Sequence, residues 1–248
     1  MKFVAFDLET AKAAPEDRQG DYDLGVTCIG CVIVDSDERQ ERTWKGNEEL
    51  GCYSKKMDNW PINDFINWLG IKSRSGFDIV SWNGMGFDFR VLAQGLELEQ
   101  YDNLIDLALG SIDPFYQMLC EKGFGIGLDT AAKGLGLVGK TEGMDGLKAV
   151  EMWCESREAQ ESVLEYVLQD ARTTADVYEG MVKSGKLPWT SKSGRPNRWF
   201  IAERTPFCLL TVKEATALPV PDTSWMSKPW KRSDFYGWTG WVPEESEV

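Results

Sequence analysis

The chain has 248 residues, 42% of them apolar, which suffices for one large domain or a core with an extension and excludes wholesale disorder. It has no histidine, so Ser-His-Asp triads, Cys-His pairs and HExxH zinc sites are excluded, and acid–base work falls to carboxylates, Lys, Tyr, Cys or metal-bound water. The net charge of −13 suits solubility and argues against loose adhesion to nucleic acid, but it is uneven: residues 1–180 hold 17 basic and 33 acidic side chains, residues 181–248 hold 10 and 7.

Residues 2–8 predict a short buried strand. Asp7 and Glu9 interrupt what would be the apolar part of a signal peptide, so no export signal is read there. Residues 24–35 and 39–45 predict two more strands joined by the turn-prone Asp35-Ser36-Asp37, an antiparallel meander. The most apolar run, 25–34, is too short to span a bilayer. A soluble, cytoplasmic protein with no membrane partner is therefore expected. Cys28-Ile29-Gly30-Cys31 has zinc-like spacing, yet no second pair and no histidine completes four ligands. Residues three apart on a strand also point to opposite faces, so these cysteines are read as buried reduced thiols. Six cysteines in a chain this long do not suggest a disulfide scaffold.

Further along, 61–69 predicts a helix with apolar Ile62, Phe65, Ile66 and Leu69, and 77–82 a fourth strand. Helices are expected over 87–96, 112–122 and 128–135, and the longest over 157–183, ended by Gly185 and Pro188. Residues 187–202 read as a hairpin. From 206 onward the chain is aperiodic and rich in Trp and Pro. Three meander strands followed by alternating helices and strands indicate an α/β domain with a mixed sheet flanked by helices.

Asp7 and Glu9 lie two apart on a strand, so both leave one face while Leu8 points into the core. Such a pair repels itself, and a divalent cation with hard oxygen ligands, Mg²⁺ or Mn²⁺, relieves the repulsion. Asn83 ends a strand and Asp88 begins a helix, where an acid is also favoured as a cap or first-turn residue. Tyr166 and Asp170 are four apart and share a helix face. That face is otherwise apolar, so Asp170 needs a salt bridge or a metal, and Tyr166 is either a core tyrosine or a phenol placed over a metal-bound water.

The order FDLET, NGMGFD and YVLQD resembles the three exonuclease segments of the DEDDy family, which includes polymerase proofreading domains and RNase D-like enzymes on a ribonuclease H-like fold. The other DEDD branch has a histidine where this chain has Tyr166. IDPFYQML, GIGLDTAAKGLGL, the surroundings of Lys140 and AVEMW at 149–153 resemble a stand-alone and helicase-associated subgroup related to family B proofreading domains. The resemblance covers residues 2–182 and departs at Ala171. It implies a catalytic domain over 1–183 and an extension over 184–248. It also implies two divalent cations held by Asp7, Glu9, Asp88 and Asp170, and a water oriented by Tyr166. The implied product is a nucleoside 5′-monophosphate from the 3′ end of single-stranded DNA. Thr10 and Asn83 would touch the terminal nucleotide or brace the site. RNase D-like or oligoribonuclease-like cleavage of RNA is the alternative, as is a catalytically silent nucleic-acid-binding module. No motif reports a polymerase or helicase partner.

Over residues 183–204, Lys183, Lys186, Lys192, Arg195, Arg198 and Arg204 stand with Glu203 as the sole acid, and Trp189 and Trp199 lie among them. Basic side chains interleaved with aromatics suit a single strand, and Lys192, Arg195 and Arg198 are the expected substrate contacts. A hairpin closing the sheet, with Trp inside and cations outside, accounts for the same pattern. The later Trp225, Trp230, Trp238 and Trp241 are expected to strap the tail onto the domain.

Overall fold

The computed structural model describes residues 1–15, 23–94, 96, 98–139, 143–201 and 209–243. Lys140, Glu203 and Arg204, used in the sequence reading, lie outside the described residues.

The meander is present. β1 (Lys2–Thr10), β2 (Val26–Asp35) and β3 (Glu38–Lys45) pair antiparallel, with Asp7 opposite Gly30 and Glu9 opposite Cys28. A short ladder, β4 (Glu48–Glu49) with β5 (Cys52–Tyr53), leads into α1 (Asn59–Arg74). β6 (Asp78–Val80) then pairs parallel to β1, giving the sheet order β3-β2-β1-β6. The fold is the expected mixed α/β arrangement.

The remaining elements are α2 (Asp88–Ala93), α3 (Leu98–Gly110), α4 (Pro114–Lys122), α5 (Leu128–Gly134), α6 (Gly146–Trp153) and α7 (Arg157–Ser184). They are followed by the hairpin strands β7 (Lys186–Thr190) and β8 (Pro196–Phe200), then α8 (Val212–Thr216) and α9 (Ser233–Tyr236). Several boundaries correct the sequence reading. α2 stops at Ala93 instead of 96. α4 starts at Pro114, because Asp113 caps it and Ile112 makes an isolated parallel bridge to Val80. α3, α6, α8 and α9 were not expected.

Alternation along β1 divides the core. Val4, Phe6 and Leu8, with Ile29, Cys31 and Ile33 of β2, pack against the apolar faces of α1 and α3. Phe3 and Ala5, with Val32 and Val34, pack on the other face against Ala171, Ala175, Val177, Tyr178 and Met181 of α7. Cys28 and Cys31 fall in different clusters, and both are buried free thiols. The hairpin and tail close the periphery. Val212, Ala215 and Phe235 belong to the same apolar cluster as α1, α3 and α4. Arg232 donates to the carbonyls of Thr216, Leu218, Cys120 and Pro219. Among the described residues no helix is long and apolar enough to cross a membrane.

α7 is the longest element, at 28 residues or about 42 Å. Ser156 caps its start by accepting from the Ala159 amide, and Gly185 ends it in the left-handed region at φ 65°. The helix reaches the sheet because Gly30 lacks a side chain. A Cβ on Gly30 would stand 3.0 Å from the backbone of Val167 and Leu168. Outside this contact, Arg172 makes two hydrogen bonds to Glu41, at 2.6 and 2.7 Å, and Arg39 pairs with Asp176, so charges on β3 clamp the helix from its edge.

Gly30→Ala is expected to lower the free energy of unfolding by about 1–3 kcal/mol, because rigid backbone must give way. Gly146→Ala, where a Cβ meets nothing within 4 Å, is the control. Urea denaturation reads both, and an unchanged Gly30→Ala protein contradicts the close approach.

Candidate active site

β1 and β6 are parallel neighbours, and their carboxyl ends open on the same side of the sheet. Crevices outside the carboxyl ends of strands are where α/β sheets bind ligands. β1 ends there with Asp7 and Glu9, which continue the face that Phe3 and Ala5 turn toward α7. Asp170 of α7 meets them. Carboxylate oxygens of Asp7, Glu9 and Asp170 all lie within 4.8 Å of one another, with Glu9 and Asp170 buried and Asp7 half-buried. Tyr166, one turn earlier on α7, is 3% exposed and shares a cluster with Cys28, Trp153 and Val163.

Asp88 comes from the segment after β6 and lies outside the three-carboxylate group. Burial pushes its carboxyl up to about 7. Amide hydrogen bonds from its own residue and from Leu8 oppose this, and the charges of Asp113 and Asp170 add to it. The Leu8 amide is at hand because β6 stops pairing at Val80, opposite Ala5, and leaves the end of β1 open. Asp88 Oδ1, Asn83 Oδ1 and Ser81 Oγ are buried with no hydrogen-bond partner. Buried carboxylates and orphaned oxygens form a hard donor set, which fits a divalent cation. Asp7, Glu9 and Asp170 are the residues able to hold one.

The segment carrying Asn83 and Asp88 is tightly specified. Asn83 is left-handed at φ 65°, a conformation Asn tolerates. A Cβ on Gly84 would meet Ser81 Oγ at 2.1 Å, and one on Gly86 would meet the Phe235 ring at 2.6 Å. Asp113 accepts from the amides of Asn83 (2.9 Å), Met85 (3.1 Å) and Tyr116 (3.1 Å), so one buried carboxylate both braces this loop and caps α4. Burial pushes Asp113 up to about 6, with those amides holding it back. From the other side, Trp238 Nε1 donates to the Met85 carbonyl at 2.9 Å, and the Trp238 carbonyl accepts from Tyr101 at 2.6 Å.

Asp113, Gly30 and Trp238 were not singled out as site residues from the sequence. Asp113 carried a signal, since Asp followed by Pro marks a helix start; Trp238 carried none. Thr10 is buried after a register shift between Glu9 and Thr10, and its hydroxyl donates to the Lys12 carbonyl. Lys192, Arg195 and Arg198 are exposed on the hairpin. The hairpin leaves α7 at Gly185, about 22 Å of helix axis from Asp170. Trp199, which the sequence left between strand contact and hairpin closure, is 1% exposed and donates to Glu121 at 3.0 Å, so it packs inward as the hairpin-closure reading has it.

A family model for the RNase H superfamily matches residues 4–182. The chain belongs to the RNase H superfamily. No curated protein matches it. RNase H-like nucleases act on nucleic acid with divalent metals, and the acidic group of this member is suited to hold one.

Two raised carboxyls give a pH dependence. Asp88 and Asp113 keep protons in the folded chain at pH values where an unfolded Asp, with a pKa of about 3.9, has lost them. Stability from this source is full below about 4 and falls as pH rises through about 6 and 7. With a chelator present, the melting temperature should drop between pH 5 and 7.5, and Asp88→Asn should flatten the drop. An equal slope in the variant contradicts the assignment.

Proposed function

We propose that the protein is a metal-dependent 3′→5′ exonuclease of the DEDDy type. It removes nucleoside 5′-monophosphates from the 3′ ends of single-stranded DNA. The observation that carries this reading is the meeting of Asp7, Glu9 and Asp170 within 4.8 Å, with Tyr166 one helical turn from Asp170. Residues 1–183 form the catalytic domain and 184–248 the extension, whose described residues pack against it.

Asp7, Glu9, Asp88 and Asp170 hold two divalent cations, Mg²⁺ or Mn²⁺, which supply Lewis acidity and make water a better nucleophile near neutral pH. The chain does the rest. Asp7, on the strand between β2 and β6, meets Glu9 and Asp170 and would be the ligand shared by the two cations. Tyr166 offers its hydroxyl to the attacking water and fixes the line of attack on phosphorus. The 3′ oxygen of the next nucleotide leaves, and the terminal nucleotide departs with the phosphate on its 5′ carbon. Asn83, held left-handed by Asp113, presents its side chain to the terminal nucleotide, while Thr10 braces the end of β1. Lys192, Arg195 and Arg198 meet phosphates further up the strand.

The direct test uses 5′-labelled DNA and RNA strands side by side with Mg²⁺, and with EDTA as control. A ladder shortening from the 3′ end of the DNA strand is expected. Internal cuts overturn the exonuclease reading, and a ladder from RNA alone establishes the ribonuclease alternative. Asp7→Ala is expected to abolish cleavage in a folded protein. Tyr166→Phe is expected to slow turnover by roughly 10–10³-fold with little change in Mg²⁺ dependence. A shifted Mg²⁺ requirement at unchanged saturated turnover contradicts the role given to Tyr166.

A further inference from the structure

Aromatic rings from separate segments meet on one stretch of surface. Phe124, in the connection after α4, makes edge contacts with Trp189 of β7 at 6.2 Å and with Trp225 of the tail at 6.0 Å. Phe115 lies where a Cβ on the adjoining Gly125 would strike it, and it contacts Trp230 at 6.0 Å. Burial does not account for the two tail rings, since Trp225 is 65% exposed and Trp230 41%. Two links join this stretch to the loop bearing Asn83 and Asp88. Trp82 Nε1 donates to the Ile126 carbonyl at 3.0 Å, and Phe235, 5.8 Å from Trp230, closes over Gly86.

Cations gather around these rings, alongside Asp222 and Asp234 of the tail. Lys122 precedes Phe124 by two residues, Arg198 follows the residue paired with Trp189, and Lys228 and Lys231 flank Trp230. All four are exposed. Among the described residues none of them pairs with a carboxylate, although the chain has 40 acids to 27 bases. Exposed rings that accept any base by its π-face, set among cations that accept phosphate, are the elements of a single-strand platform.

We propose that single-stranded DNA runs along this surface to the acidic group, with bases stacked on Trp225 and Trp230 and phosphates met by the flanking cations. The choice of DNA rests on the exonuclease reading above; the binding surface itself does not. It lies on the extension and the connection after α4, so it sets how the strand approaches and not how the bond is cut.

The test is binding of labelled oligothymidylate in EDTA, where nothing is cleaved, read by anisotropy across a salt series. Trp225→Ala and Trp230→Ala are each expected to weaken binding roughly tenfold without changing the salt slope, because stacking releases no counterions. Trp225→Phe should recover most of the loss. The Lys228→Ala, Lys231→Ala double variant should lower the slope by roughly 0.7 per lost contact. If Trp230→Ala lowers the melting temperature, Trp225→Ala alone decides, since that ring is mostly in solvent. Wild-type affinity in Trp225→Ala overturns the proposal. A loss seen with oligouridylate and not with oligothymidylate overturns its assignment to DNA. Failure of the wild-type protein to shorten any strand in Mg²⁺ would count against the exonuclease reading and leave this binding result standing.

Discussion

Helix α7 rests on β2 with backbone against backbone at Gly30, and the arrangement of the acidic group follows from that contact. Asp7 sits opposite Gly30 in the ladder, so the point of closest approach is also where the helix passes the first carboxylate. Asp170 lies one turn beyond Val167, the residue nearest Gly30. A wider spacing between helix and sheet would separate Asp170 from Asp7 and Glu9 while leaving every secondary element intact. Ala171 and Ala175 extend the same logic along the helix, as small residues fully buried against the sheet. Ala171 is thus a packing residue.

The fold brings like charges together and then holds them with rigid neighbours. Burial raises Asp88, and amides of the chain itself oppose the rise. The loop carrying it is gripped through Met85, whose amide donates to Asp113 and whose carbonyl accepts from Trp238. One grip comes from the cap of α4 and the other from the tail, so two distant parts of the chain fix the same peptide unit. A loop held on both sides loses little entropy when a ligand arrives, which is the advantage of a preorganised site.

Much of this was legible in the sequence where a period carries the information. The two-residue repeat of a strand put Asp7 and Glu9 on one face, and the four-residue repeat of a helix put Tyr166 with Asp170. The two resulting pairs share a site through the contact at Gly30, which the sequence shows only as a glycine between two cysteines. Trp199 fitted both readings of the hairpin because alternation alone does not say which face meets the core; its bond to Glu121 decides that. α6 begins with Gly146, a poor helix former, and so gave little signal. The tail was opaque for a different reason. Arg232 and Trp238 are held by hydrogen bonds to backbone and Phe235 by ring contacts, and such contacts leave no repeat to read.

The acidic group joins the first strand of the chain to its longest late helix, and this has a thermodynamic consequence. In a chain where α7 has undocked, Asp7 and Glu9 keep each other's company but lose Asp170. A cation that needs all three therefore binds the folded state in preference to every partly opened one. By mass action it then stabilises the fold by RT ln(1 + [L]/Kd), so free metal concentration becomes a variable of stability as well as of chemistry. With such a cation as the site's ligand, a metal-poor environment would both silence the site and loosen the helix that builds it.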